Sequence, residues 1–392
     1  MITEMEKTKI GIMTICKCNN YGAELQAYAT QAIIRQMGCD PEIIDYIYYK
    51  SWRFKDTKMS RPFMAMSFIE RIKYGLKYRV VDFLADFLFP YFIPVLKRRK
   101  EKFSVFHQIN SKFGRCYKSM DELYKKPPQY NVYMTGSDQV WNPSALSSIE
   151  PYFLSFAPKG TKKVSYAASF GISELPAILE SRYKKLLSEY DYIGVREKSG
   201  CDMVKQICGM DSTWVLDPTL LLSKKDWNRI GKPYNKTPKQ YVLIYQLSTS
   251  QTIVRLARQI SKEKGIPVLR ITKRAYCTKR DAGIRNILDA GPEEFVSLIS
   301  GACVVLTNSF HGTAFSINME VPFWTFISPH NSNNSRIKDL LELLGLQDRM
   351  LRDDQNIEIV NLFAGIDFKR VMDILMSARN KSVSFLRKAI VS

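Results

Sequence analysis

The sequence predicts an α/β fold of two alternating units, each a parallel sheet with helices on its faces. Three observations carry this. Short apolar runs such as residues 131–135, 192–195 and 303–306 alternate with segments of helical spacing, the pattern of buried parallel strands joined by crossover helices. Residues 224–240, with Gly231, Pro233 and Pro238, have linker composition and divide that pattern in two. A chain of 392 residues is also long for one core and suits two domains.

Taken in order, residues 9–15 read as a strand, 24–37 as a helix and 42–46 as a second strand, a βαβ opening. An interruption follows. Between Trp52 and Pro128, 18 lysines and arginines stand against 7 aspartates and glutamates, which accounts for more than half of the net charge of +20. Within it, residues 66–94 place Phe68, Ile69, Ile72, Leu76, Val80, Phe83, Leu84, Phe87 and Leu88 at helical spacing. Phe89, Tyr91 and Phe92 follow, ahead of Lys97-Arg98-Arg99-Lys100. Such a basic amphipathic segment reads either as an interfacial membrane element or as a helical insertion packed on the first domain. Basic residues mixed with aromatics also bind nucleic acid, but no other nucleic-acid signature occurs, and no such partner is expected.

Residues 131–135 and 163–167 return as strands, 175–189 as a helix, 192–195 as a strand and 199–207 as a helix, and 214–218 end in a turn. The second unit reads as strands at 241–247, 268–271, 303–306 and 323–327, alternating with helices at 252–264, 292–299, 312–318 and 336–344. A long helix closes the chain at 368–389. The expected division is a first domain at 1–223 with a helical basic insertion at about 52–128, a second at 240–365, and a final helix at 366–392. No run reaches the ~18–20 apolar residues that span a bilayer, and the charged stretch from Met1 to Lys9 is unlike a secretory signal. A cytoplasmic protein is expected, with peripheral contact on the inner membrane surface under the first reading of the basic segment. The eight cysteines show no zinc spacing, and no metal is expected.

The candidate site residues lie where strands turn into helices. In Thr307-Asn308-Ser309-Phe310-His311-Gly312-Thr313, one of three histidines falls at a helix start, where backbone N–H groups favour an anion; the alternative is a helix-capping histidine. Asn19-Asn20-Tyr21-Gly22 forms a cradle for a phosphate or sugar, without the glycine pattern of a dinucleotide site or the lysine of a P-loop. Asp138, in Gly136-Ser137-Asp138-Gln139-Val140-Trp141, reads as a base, as a partner of sugar hydroxyls, or as a helix cap. Arg196, at the end of a strand, presents a fork for a carboxylate or phosphate, or is a surface cation.

These residues resemble the polysaccharide pyruvyltransferase family. Six motifs run in order: Asn20-Tyr21-Gly22, Gly136 to Trp141, Ser165-Tyr166-Ala167-Ala168-Ser169, Arg196-Glu197-Lys198-Ser199, Leu216-Asp217-Pro218-Thr219-Leu220, and Thr307 to Gly312. The resemblance implies a GT-B-like fold, two Rossmann-like domains facing a cleft with the last helix crossing back. It implies transfer of the enolpyruvyl group of phosphoenolpyruvate to two hydroxyls of a sugar, forming a cyclic ketal and releasing phosphate, with no cofactor beyond that co-substrate. The acceptor is a sugar or a lipid-linked oligosaccharide of a surface polysaccharide. His311 and Asp138 are then catalytic. Arg196, Arg336, Ser309, Gly312 and Thr313 bind the donor; Asn20, Tyr21, Gly22, Ser137 and Gln139 bind the acceptor. Family members often carry Arg-Leu-His where this chain has Ser309-Phe310-His311, so one donor cation is missing. Two alternatives stay open: a GT-B nucleotide-sugar glycosyltransferase, and a carbohydrate- or membrane-binding relative without catalysis. The oligomeric state is not legible.

Overall fold

A computed structural model describes residues 7–47, 67, 69, 72, 73, 76, 84, 93–143, 150–273, 282–328, 334–353 and 365–391. The protein is an α/β fold with two parallel sheets, as the alternating pattern predicts. The first sheet comprises β1 (Lys9–Met13), β2 (Asp40–Tyr46), β3 (Phe113–Tyr117), β4 (Val132–Thr135), β5 (Lys162–Ala168), β6 (Tyr192–Val195) and β7 (Thr213–Trp214), in the order β3-β2-β1-β4-β5-β6-β7. The second comprises β8 (Val242–Tyr245), β9 (Val268–Ile271), β10 (Ile284–Ile287), β11 (Val304–Thr307), β12 (Phe323–Ile327) and β13 (Met350–Arg352), in the order β10-β9-β8-β11-β12-β13. Both orders are Rossmann-like. Each reverses at one place, between β1 and β4 in the first sheet and between β8 and β11 in the second. At such a switch point the crossover loops diverge to opposite faces and leave a crevice at the strands' carboxyl ends.

The helices are α1 (Tyr21–Gln36), α2 (Pro94–Asn110), α3 (Met120–Lys125), α4 (Ala177–Leu187), α5 (Lys198–Cys208), α6 (Pro218–Leu221), α7 (Lys224–Ile230), α8 (Gln251–Lys264), α9 (Pro292–Ser300), α10 (Phe310–Asn318), α11 (Ser335–Leu343) and α12 (Phe368–Val391). One compact unit contains Met1–Lys97, Ser104–Leu221 and Asn380–Ser392; the other contains Arg98–Phe103 and Leu222–Arg379. Helices cover both faces of each sheet. That is why Val132 to Thr135, Val242 to Tyr245 and Val304 to Thr307 are buried at every position and read as unbroken apolar runs.

Several expectations are corrected. α1 begins at Tyr21 rather than at Glu24, because Asn20 Oδ1 accepts the Gly22 N–H at 3.0 Å and caps the helix earlier. The basic segment is not helical throughout to Pro128. Phe113–Tyr117 is an edge strand beside β2, held where the Gln31 side chain accepts the Lys112 N–H (3.0 Å) and donates to the Lys112 carbonyl (2.8 Å). The supposed linker opens with α7, since Ser223 and Asp226 form a capping box. β7, β10 and β13 are further strands that the sequence reading left out. The aromatic cluster of Phe83, Phe87, Phe89, Tyr91 and Phe92 lies outside the described residues, as does His330.

Of the four cations Lys97 to Lys100, Arg99 is buried, and Arg98, though its side chain is 54% exposed, is held in an ion pair. Arg98 Nε donates to Asp289 Oδ2 at 2.8 Å, and Arg99 is 5% exposed with Nη1 3.4 Å from the Leu288 carbonyl. The run therefore does not present four charges to a membrane. Among the described residues, no helix is long and apolar enough to cross a bilayer.

Candidate functional site

At the first sheet's switch point, the ends of β1 and β4 are tied together. Gly136 N–H donates to the Met13 carbonyl (2.9 Å), Thr14 Oγ1 to the Ser137 carbonyl (2.8 Å), and Gln26 Nε2 to Thr14 Oγ1 (2.9 Å). Left-handed backbone follows β1 and β4, at Lys17 (φ 54°), Asn19 (φ 52°) and Asp138 (φ 78°), and recurs near the end of β5 at Ala167 (φ 56°). For non-glycine residues such conformations cost about 1–3 kcal/mol each and persist where the surroundings enforce them, often at functional sites. At Asp138 the enforcement is visible. Its carbonyl accepts the N–H groups of Val140 (2.8 Å) and Ser169 (3.0 Å), so the turn is stitched to the end of β5.

The Asp138 side chain is 17% exposed. Its Oδ1 accepts the Gln139 N–H (2.9 Å) and lies 3.5 Å from Arg196 Nη2, while its Oδ2 has no partner among the described residues. Arg196 follows β6. Its Nη1 donates to Asp217 Oδ2 at 2.7 Å and lies 3.4 Å from Ser137 Oγ. Asp217 also accepts Ser137 Oγ–H (2.9 Å), Thr219 N–H (2.9 Å) and Thr219 Oγ1–H (2.6 Å). The Arg196 and Asp217 side chains are 1% and 0% exposed. Burial pulls the guanidinium's pKa down, but Asp217, Asp138 and Glu197 outweigh it and hold the pKa above its ordinary value. Glu197 is itself buried; its Oε1 accepts Ser169 Oγ–H (2.9 Å) and the N–H groups of Phe170 (2.8 Å) and Gly171 (3.3 Å). Residues from five strand ends thus form one polar network.

The expected acceptor residues divide. Ser137 belongs to the network. Gln139 Oε1 accepts Asn142 Nδ2–H at 2.7 Å, beside Gly171, where an added Cβ would lie within 3 Å of both side chains. Asn20 caps α1, while Tyr21 and Gly22 are buried in its first turn and shape the loop.

In the second unit, Ser309 caps α10 through a bond from Gly312 N–H at 3.4 Å. A Cβ on Gly312 would stand 2.3 Å from Thr307 Oγ1 and 3.0 Å from the Tyr245 ring, so this glycine lets α10 pack tightly on β8 and β11. Thr313 Oγ1 meets the Ser309 carbonyl (3.1 Å) and Thr325 Oγ1 (2.7 Å). The polar groups of Ser309 and Thr313 are thus spent on seating the helix. Asn308 was not among the expected site residues, yet its side chain accepts the Leu247 N–H (2.8 Å) and donates to the Ser248 carbonyl (2.9 Å), fixing the β8–α8 turn at the switch point.

His311 lies in the first turn of α10, 8% exposed, edge-on to the Phe310 ring at 5.3 Å between centroids. The Arg336 guanidinium, on α11, sits 5.8 Å from the centroid of that same ring. Phe310 therefore gathers the two charge-bearing candidates of this unit around one aromatic surface. The sequence reading treated Phe310 only as a departure from the family motif. Among the described residues, no three His, Cys, Asp or Glu side chains converge where a metal ion would sit.

Two Rossmann-like sheets each gather polar side chains at the switch point, the place where open α/β sheets commonly bind ligands. The chain belongs to the polysaccharide pyruvyl transferase family, whose pattern matches residues 20–331, and is a transferase. No curated protein sequence matches it. Among solved structures it is similar to UDP-GlcNAc 2-epimerase from Methanocaldococcus jannaschii in complex with UDP-GlcNAc and UDP (TM-score 0.45, 12% identity, 95% of this chain and 93% of that one). It is also similar to Arabidopsis thaliana UGT89C1 complexed with UDP-L-rhamnose (TM-score 0.47, 11% identity, 97% and 95%). A third is the N-terminal domain of Candida albicans trehalose-6-phosphate phosphatase (TM-score 0.49, 8% identity, 98% and 97%).

Proposed function

We propose that the protein transfers the enolpyruvyl group of phosphoenolpyruvate to two hydroxyls of a sugar, giving a cyclic pyruvate ketal and phosphate. The observation that carries this reading, beside family membership, is the grouping of His311 and Arg336 around Phe310 near the second sheet's switch point. Arg336 supplies a cation for the donor's phosphate or carboxylate. His311 delivers a proton to C3 of the donor, which makes C2 electrophilic. A first sugar hydroxyl bonds to C2 while Asp138 Oδ2 takes its proton, and a second hydroxyl bonds to C2 as the C2–O bond to phosphate breaks. Of the two hydroxyl protons released, one replaces the proton given to C3 and the other leaves on phosphate. Ser309, in the place of a frequent family arginine, caps α10 instead, which leaves Arg336 with a larger share of the donor's charge.

The acceptor is proposed to be a lipid-linked precursor of a surface polysaccharide, met at the inner membrane surface. Ile69, Ile72 and Leu76 support this, since they are 64%, 48% and 55% exposed at helical spacing within the basic segment. The test is incubation with phosphoenolpyruvate and a panel of soluble and lipid-linked glycans, reading phosphate release together with an acceptor mass gain of one pyruvate less one water. A mass gain of one hexose from a nucleotide sugar, with no phosphate release from phosphoenolpyruvate, would replace this reading with glycosyl transfer.

A further inference from the structure

We infer that Arg196 is a positioning residue, which holds the Asp138 carboxylate for the acceptor hydroxyl and does not itself grip the donor. The inference rests on the ketal-forming reading. A donor-gripping arginine presents an accessible fork with charge to spare. Arg196 has neither. Its side chain is 1% exposed, one terminal nitrogen is engaged by Asp217 at 2.7 Å, and the other faces Asp138 at 3.5 Å.

The charge balance points the same way. Asp217, Asp138 and Glu197 all act on this one guanidinium, so its charge is already shared among three carboxylates. A donor bearing roughly three negative charges needs a cation whose charge is not already so engaged. A neutral hydroxyl needs none, and it finds a carboxylate oxygen to bond. Asp138 is arranged for that. Oδ1 is fixed by the Gln139 N–H and faced by Arg196, Oδ2 is left over, and the left-handed backbone at φ 78° is held by two hydrogen bonds to its carbonyl. Asp217 completes the device, because it fixes Arg196 and takes the Ser137 hydroxyl at 2.9 Å and both Thr219 donors.

The experiment compares wild type, Arg196→Gln, Arg196→Lys, Asp138→Asn and the Arg196→Gln/Asp138→Asn double variant. Phosphoenolpyruvate affinity is measured by calorimetry, and turnover by phosphate release. In Arg196→Gln, the donor Kd is expected to stay within about twofold, while kcat falls about 10- to 100-fold, less than the ~10²–10⁴ that loss of a general base costs. Arg196→Lys retains a charge that holds the fold; it should lower kcat and leave the donor Kd in place. The double variant should be no slower than Asp138→Asn alone, as for a residue acting through another. A donor Kd at least tenfold weaker in either Arg196 variant would overturn the inference and leave the ketal-forming reading intact. A wild-type protein without measurable phosphoenolpyruvate affinity would overturn both.

Discussion

Asp217→Asn tests whether the buried network is what holds the first unit's strand ends. Asp217 accepts four hydrogen bonds, two at Oδ2 from Arg196 and Ser137 and two at Oδ1 from the N–H and hydroxyl of Thr219. Asparagine has one acceptor oxygen and one NH2 group. Whichever way its amide turns, the NH2 faces either Arg196 Nη1 or the Thr219 N–H. The serine and threonine hydroxyls can rotate to accept, but these two N–H donors cannot. One is left unsatisfied in a place with almost no exposure, at about 1–3 kcal/mol, and the guanidinium loses the partner that compensated its burial. Breaking one side of a buried ion pair typically costs about 3–5 kcal/mol, and the two costs overlap rather than add. The assay is urea denaturation followed by fluorescence of Trp141 and Trp214, which lie in this unit. Arg196→Gln/Asp217→Asn, which removes both charges, should be less destabilised than Asp217→Asn alone, with a coupling of at least about 1 kcal/mol. A loss below about 1 kcal/mol in the single variant, or simple additivity in the double, would refute the reasoning.

Gly312→Ala should destabilise the second unit by about 1–3 kcal/mol through overpacking against Thr307 and Tyr245, seen as a lowered denaturation midpoint; a neutral effect would mean that the α10 seat has slack. His311→Ala should reduce turnover by ~10²–10⁴ with the unfolding transition unchanged, and wild-type turnover in that variant would remove His311 from the chemistry. Ile69→Ser/Ile72→Ser/Leu76→Ser should reduce co-sedimentation with anionic liposomes and activity on a lipid-linked acceptor, while activity on a short soluble glycan is spared. Equal sedimentation of both proteins would return this segment to a packed insertion.

What the sequence made legible follows from burial. β4, β8 and β11 are covered on both faces, so their residues are apolar without interruption and the runs stand out. β3, with the sequence FGRCY, and β10, with IRNI, lie at sheet edges and mix exposed with buried positions; no run marks them. α7 was hidden by Gly231, Pro233 and Pro238 just beyond it, although the Ser223 and Asp226 pair gave its start. At the site, motif positions were visible because small, polar and charged residues there interrupt apolar runs. Their pairings were not. That Arg196 meets Asp217, and that Glu197 takes the Phe170 and Gly171 amides, depends on which strands are neighbours. The same holds for Arg98. It reads as part of a solvated charge run until the fold brings Asp289 beside it, almost two hundred residues away in the chain.

The measurement closest to the central claim is mass spectrometry of a lipid-linked glycan acceptor after incubation with the protein and phosphoenolpyruvate, with phosphate assayed in the same reaction. The account predicts one phosphate released for each acceptor that gains a pyruvate less one water, attached through two oxygens of one sugar and abolished in His311→Ala. An acceptor modified through a single oxygen, or phosphate release that does not require the glycan, would contradict it.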